Sequence, residues 1–270
     1  MSFFIIDIYY IIYIKNSTPQ VAIDLQSTTV VDYNKNMFRK ESFIPEEYYH
    51  IYNRIIFNTP VFKDTKNCNR LMQSFLLANS TQASQAFLFL RNNKNASIED
   101  ALKIAKNGKK FVDVICYAIM PDHYHILLKE KIENGITSFI HRCNISIAKY
   151  INTKTERRGP LFEGLFKSKH IATNNYLLHL SLYIHLNPLD FLIGKQWREH
   201  EVKNWDQIKN RLINYPYSSL KNFLNKNHND KIISGAEIIM GQFNNSKEYE
   251  SYLREWSEKT LNIIDNLIID

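Results

Sequence analysis

His123 and His125 flank Tyr124 within a run of apolar and aromatic residues. On an extended strand, side chains two positions apart point to the same face, so this spacing presents two imidazoles side by side. Such a pair can hold a divalent cation. Nitrogen donors suit Zn, Cu, Fe and Ni, and one or two added oxygen ligands widen the choice to Mn or Mg. A His-x-His pair in a strand is by itself more often incidental than functional, and it needs a partner. Tyr183 and Asn187 offer one, because residues four apart stack on one face of a helix, here a phenol above a carboxamide. Asn187 is then a candidate oxygen ligand. Tyr183 is a candidate nucleophile, provided a cation polarises the electrophile or stabilises the phenolate. The competing reading makes Tyr183 a core residue among Leu180, Leu182 and Ile184, and Asn187 only the residue that ends a helix before Pro188. Tyr176 is the rival nucleophile, one heptad earlier, but position 180 is leucine and offers no amide four residues on. His185 falls on a different helix face from Tyr183 and reads as structural.

These residues need a scaffold, and the patterning supplies its elements. Tyr49 to Phe57 is aromatic and β-branched and stops at Asn58-Thr59-Pro60, which predicts a strand and a turn. Asn69 to Asn79 has helical spacing. Ser97 with Asp100 three residues on forms a capping-box pattern that opens a second helix, stopped at Gly108. Phe111 to Met120 predicts a strand, and His123 to Leu128 another beyond the turn at Pro121-Asp122. The two form either an antiparallel pair or one long strand with a kink or bulge. Ile136, Phe139, Ile140, Cys143, Ile147 and Ile151 repeat at three and four, one face of a helix ending near Asn152. Thr173 or Asn174 can cap a further helix that runs to Pro188. Beyond Trp197 the chain reads as helical and polar, without a linker that forces a domain boundary and without an internal repeat.

The 270 residues carry 34 Lys+Arg against 27 Asp+Glu, a net charge of +7 that favours a polyanionic partner. Lys149, Lys154, Arg157, Arg158, Lys167 and Lys169, with Phe162 and Phe166 interleaved, form a segment suited to single-stranded nucleic acid. There, cations would follow the backbone and aromatic faces accept bases. The bland alternative is a solvated loop, with both phenylalanines in the core. Cys68, Cys116 and Cys143 form no CxxC pair, so neither a disulfide framework nor a thiolate zinc site is indicated, and three buried, reduced thiols in a cytoplasmic protein are expected. The apolar run Phe3 to Ile14 is too short to span a bilayer and has no basic leader, which argues against a membrane partner or a signal peptide. With Met37 lying just before the clear globular pattern, residues 1–36 are read as a poorly packed extension or as sequence upstream of the natural start.

Five segments in order resemble the single-tyrosine HUH transposases, most closely the REP-associated tyrosine transposases. They are Tyr49 to Phe57 followed by Val61-Phe62-Lys63-Asp64; the strand into Met120-Pro121-Asp122-His123-Tyr124-His125; Gly159 to Ser168; Tyr183 to Pro188; and Tyr215 to Leu220. The likeness spans roughly residues 45 to 220, and the ordered combination is far more specific than any one motif. It implies an α+β fold: an antiparallel sheet flanked by helices, ferredoxin-like, over residues 43–200. Residues 1–42 would be an extension and 201–270 a helical C-terminal region. It also implies that His123, His125 and Asn187 hold Mg or Mn, and that Tyr183 attacks a scissile phosphate of single-stranded DNA near a hairpin to leave a 5′-phosphotyrosine and a free 3′-hydroxyl. No small-molecule cofactor is expected, and a monomer is slightly favoured. The chain departs from the pattern at Tyr124, where an aliphatic residue is usual, at Leu165, where Arg is common, and at Asp190, where Arg is frequent. The last two remove expected phosphate contacts. Two rivals stay open: a relative that holds hairpin DNA or RNA without cutting, and a metal phosphohydrolase with no covalent step.

Overall fold

The strand and helix patterns follow one another as β-α-β-β-α-β in the computed structural model, which describes residues 42–198, 204–225 and 230–258. β1 (Tyr48–Arg54) leads through α1 (Thr65–Ala78), α2 (Ala83–Asn92) and α3 (Ile98–Ala105) to a hairpin of β2 (Val112–Ile119) and β3 (His123–Glu130). α4 (Gly135–Lys154) then returns the chain to β4 (Lys167–Ile171). The sheet is antiparallel throughout, in the order β2-β3-β1-β4, the ferredoxin-like arrangement of an α+β fold. Both crossovers bring their helices to one face. α5 (Asn174–Leu186) and the helices Trp205–Ile213 and Ser246–Glu258 cover the other, so the sheet is the middle of three layers. The expected extension lies outside the described residues apart from Ser42, as does the apolar run Phe3 to Ile14. No helix among the described residues is long and apolar enough to cross a membrane.

Strand alternation decides which side chains face which layer. Tyr124, Ile126 and Leu128 pack toward α1 and α4 against Phe75, Phe139, Cys143 and Ile147, while Leu127 packs toward α5. His123 and His125 share the parity of Leu127 and therefore face α5. A bulge between Val114 and Cys116 turns Ile115 and Cys116 to that same side. The free edge of β2 is covered by the segment around Tyr217: Ile119 N donates to the Tyr217 carbonyl at 2.9 Å and Ser219 N to that of Tyr117 at 3.0 Å. The three cysteines are buried free thiols, as expected.

α4 buries the stripe read from its spacing, and its first turn is tied down by a charge. Glu130, fully buried at the end of β3, accepts hydrogen bonds from Gly135 N at 2.9 Å and Ile136 N at 2.7 Å. It thereby satisfies donors that a helix N-terminus leaves open and places negative charge at the positive end of the dipole. Gly135 is needed because a Cβ there would sit 2.2 Å from the Phe111 carbonyl oxygen. Glu130→Ala is expected to lower the unfolding free energy by roughly 2–4 kcal/mol, the cost of two charge-assisted bonds and two orphaned buried donors. Urea denaturation at unchanged m-value checks it, and an unshifted midpoint would show that the helix start does not depend on this carboxylate.

Three elements differ from the sequence reading. β1 stops at Arg54 because Phe57 and Asn58 adopt left-handed φ values of 57° and 50°, which turn the chain out of the sheet. α2 has only Ala83 and Ala86 buried, too little apolar volume to make a stripe. β4 is an edge strand, Lys-Ser-Lys-His-Ile, with only Ile171 buried, so no alternation of apolar residues marks it.

Candidate functional site

A cavity of about 910 Å³ opens where the turn end of the β2–β3 hairpin meets the C-terminal end of α5, and His123, His125, Tyr183 and Asn187 all line it. Each gets there for a local reason. The hairpin turn at Pro121-Asp122 starts β3 with His123, and strand parity sends His125 to the same side. Thr173 caps α5, its side chain accepting from Tyr176 N, which sets the helix register. Tyr183 and Asn187 then fall one turn apart at the helix end, where Asn187 N donates to the Tyr183 carbonyl at 2.9 Å.

The geometry is tight. The rings of His123 and His125 lie 5.1 Å apart and nearly perpendicular, and the Tyr183 ring meets His125 edge-on at 5.6 Å. Both imidazoles are held by Nδ1. His123 Nδ1 is 2.6 Å from Asp122 Oδ1, and His125 Nδ1 is 2.8 Å from Nε2 of His50 on β1. Burial pushes the His125 pKa well down, helped by His50, His123 and two arginines, and burial with Lys169 lowers that of His50 to about 3. Both rings are neutral, the form in which imidazole binds metals. Asn187 is 1% exposed and its Nδ2 has no hydrogen-bond partner among the described residues.

These residues fit a divalent cation. Two imidazoles with Nδ1 engaged and Nε2 left over follow the ordinary arrangement of ligating histidines, and the buried carboxamide of Asn187, whose oxygen is the type of donor a hard cation takes, lines the same cavity. Among the described residues no group of three or more His, Cys, Asp or Glu side chains converges on a metal position.

The cations divide. Lys167 lines the cavity, and Lys169, two residues along β4, places its ammonium 5.8 Å from the Tyr176 ring. Lys149 and Lys154 lie on α4 in the opposite layer beside Arg70, where Lys154 pairs with Asp64 at 2.5 Å. Arg157 donates to the Pro160 carbonyl at 2.8 Å, and neither it nor Arg158 lines the cavity. The sequence reading missed four contributors: His50, Arg54, Lys195 and Arg198. Asp190, read there as a lost cation, receives Arg198 Nε at 2.9 Å and Nη2 at 3.2 Å, and Trp197 Nε1 at 2.8 Å. It holds the guanidinium 5.4 Å from the Tyr183 ring centroid. Nothing in a spacing of eight residues signals that pairing, whereas His50, next to Tyr49 in a strand pattern, was open to a parity argument. Tyr176 stays outside the cavity, its hydroxyl pushed up to about 12 by burial. His185 is structural as read, bonded at Nδ1 to the Tyr249 hydroxyl (2.7 Å) and at Nε2 to that of Ser219 (2.9 Å).

Residues 88–187 match the family model described as IS200-like transposase. That stretch contains His123, His125, Lys167, Tyr183 and Asn187 of the cavity lining, and the resemblance to insertion-sequence transposases is borne out there. Two solved structures are similar at low identity. A REP-associated tyrosine transposase bound to a REP hairpin is 10% identical, covering 73% of this chain and 90% of its own with a TM-score of 0.43. A transposase candidate from Deinococcus radiodurans is 13% identical, covering 56% and 98% with a TM-score of 0.30. No curated protein matches the sequence.

Proposed function

We propose that this chain is a metal-dependent, single-tyrosine transposase that cuts and rejoins single-stranded DNA near hairpins. The observation that carries the reading is the meeting of His123, His125, Asn187 and Tyr183 around one cavity, within the span that matches the transposase family. All four come from one chain, which fits a monomeric active site. His123, His125 and Asn187 would hold a divalent cation, Mg or Mn, which when bound would polarise the scissile phosphate and neutralise the charge that builds on it.

The chain's own residues do the rest. The Tyr183 hydroxyl attacks phosphorus, the bond from phosphorus to the 3′ oxygen breaks, and the proton lost by the phenol is balanced by the one the 3′ oxygen gains. The 5′-phosphate stays on Tyr183, so the phosphodiester energy is kept and the reverse attack by a 3′-hydroxyl rejoins the strand. Arg198, stacked on the tyrosine ring and fixed by Asp190, adds positive charge where the phosphate must sit. Lys167, Lys195 and Arg54 add cations for a DNA backbone to a wall that also carries Asp122 and Glu163.

The test is incubation of the purified chain with labelled single-stranded DNA from the flanks of its own gene, with Mn or Mg, followed by a denaturing gel. A metal-dependent covalent adduct supports the proposal. Tight hairpin binding without an adduct favours the non-cutting binder, and cleavage without one favours the phosphohydrolase. Asn187→Ala is expected to weaken cleavage on the order of 10–100-fold at limiting metal, with partial recovery at high metal. Hairpin affinity measured without metal should not change.

A further inference from the structure

His50 lies on β1, two strands away from β2 in the sheet and 73 positions before His123 in sequence, yet it is the residue that touches the deepest imidazole of the cavity. It is fully buried, its ring lies nearly coplanar with that of His125, edge to edge at 4.9 Å and 18°, and Tyr52 covers it at 5.0 Å. Resting on the reading above, we propose that His50 is a positioning residue: its Nε2 takes the Nδ1 hydrogen of His125 and thereby turns the Nε2 lone pair of His125 into the cavity as a cation ligand.

The argument is a count of protons. Nitrogens 2.8 Å apart share one hydrogen, and two neutral imidazoles carry one each, so only two arrangements exist. If His50 Nε2 donates, His125 carries its own hydrogen on Nε2. It then aims a donor at the cavity and cannot ligate. If His125 Nδ1 donates, His125 Nε2 is a bare lone pair, and the hydrogen of His50 sits on its Nδ1. That atom is buried and has no hydrogen-bond partner among the described residues. A buried N–H without an acceptor is the rarer and costlier orphan, so the cation-free protein favours the first arrangement and a cation draws the pair into the second. Ligand competence therefore belongs to the pair of histidines and not to His125 alone. Asp122 needs no such exchange, since a carboxylate can only accept from His123 Nδ1.

The consequence separates a positioning role from a packing role. His50→Phe keeps an aromatic ring beneath Tyr52 but gives His125 Nδ1 nothing to donate to. His50→Gln places an amide oxygen within reach of that hydrogen and needs no compensating proton of its own. Manganese binding to the full-length chain without DNA, followed by the electron spin resonance of free Mn, is the readout, with melting temperature as the check on folding and His123→Ala as the reference loss. The expected result is a 10–100-fold weaker affinity for His50→Phe and an affinity at least equal to wild type for His50→Gln. Should His50→Phe fail to fold, long-range proton–nitrogen NMR of the wild type decides, because adding a diamagnetic cation such as Mg should move the His125 hydrogen from Nε2 to Nδ1. Wild-type affinity in a folded His50→Phe, alongside loss in His123→Ala, overturns the inference and leaves the transposase reading standing, as does an unmoved His125 hydrogen at saturating cation. Absence of Mn binding in the wild type overturns both.

Discussion

Tyr183→Phe is expected to abolish the covalent protein–DNA adduct and to reduce cleavage by roughly 10⁴-fold or more, the scale on which loss of an attacking oxygen is felt, while hairpin binding persists. The change removes one oxygen from a ring that is 3% exposed and packed edge-on against His125 and beneath Arg198. Those contacts belong to the ring and survive, so the variant should fold with a melting temperature close to wild type. Tyr176→Phe is the matched control. It sits seven residues earlier on α5, outside the cavity, beside Lys169, and should cut normally. A denaturing gel of the three proteins with labelled DNA reads the result directly. An adduct that persists in Tyr183→Phe and vanishes in Tyr176→Phe would transfer the nucleophile to the other tyrosine and with it the orientation of α5 during cleavage.

The site was half legible because its residues obey two different kinds of rule. His123 with His125 and Tyr183 with Asn187 are pairs whose members share one element, and strand parity or helix periodicity alone predicts that each pair faces one way. The same local physics made the Ser97 capping box readable, and it is present, with both reciprocal bonds formed. His50 and Arg198 enter the site by tertiary routes. One needs β1 to pair with β3 in the register that sets Tyr52 opposite His125, and the other needs an ion pair across a chain turn. No period links Arg198 to Asp190, and the strand parity of His50 gives only the face it takes, not the neighbour it meets there. The edge strand β4 failed for a related reason: with four of its five side chains not buried, its only signal is the hydrogen bonding of its backbone to β1. The six basic residues of 149–169 read as one patch because they are close in sequence. The helix α4 ends inside that stretch, so Lys149 and Lys154 stay in one layer of the fold while Lys167 and Lys169 start a strand at the edge of the cavity.

Arg198→Ala is expected to slow cleavage by roughly 10²–10³-fold at saturating metal and DNA, the usual cost of removing one preorganised charge from a phosphate transition state. The reason for a large effect is that this guanidinium is already in place. Asp190 grips it at two nitrogens, with both side chains less than a fifth exposed, so its ordering is complete before the substrate arrives. Asp190 thus does the opposite of what its charge suggests in a DNA-binding cavity, since it adds one negative charge and fixes one positive charge against the nucleophile. Three variants separate these effects. Arg198→Lys retains the charge and loses the fork, and should recover only part of the rate. Asp190→Asn can still accept from Trp197 and should fold, yet its weakened hold on Arg198 should lower the cleavage rate more than the affinity for hairpin DNA. Asp190→Ala removes a partner from a mostly buried ion pair, so its melting temperature must be read beside its rate. Single-turnover cleavage at several salt concentrations is the measurement. A rate loss that stays constant as salt rises identifies a charge acting at the reacting phosphate, whereas a loss that disappears at saturating DNA would make Arg198 a contact for the backbone alone.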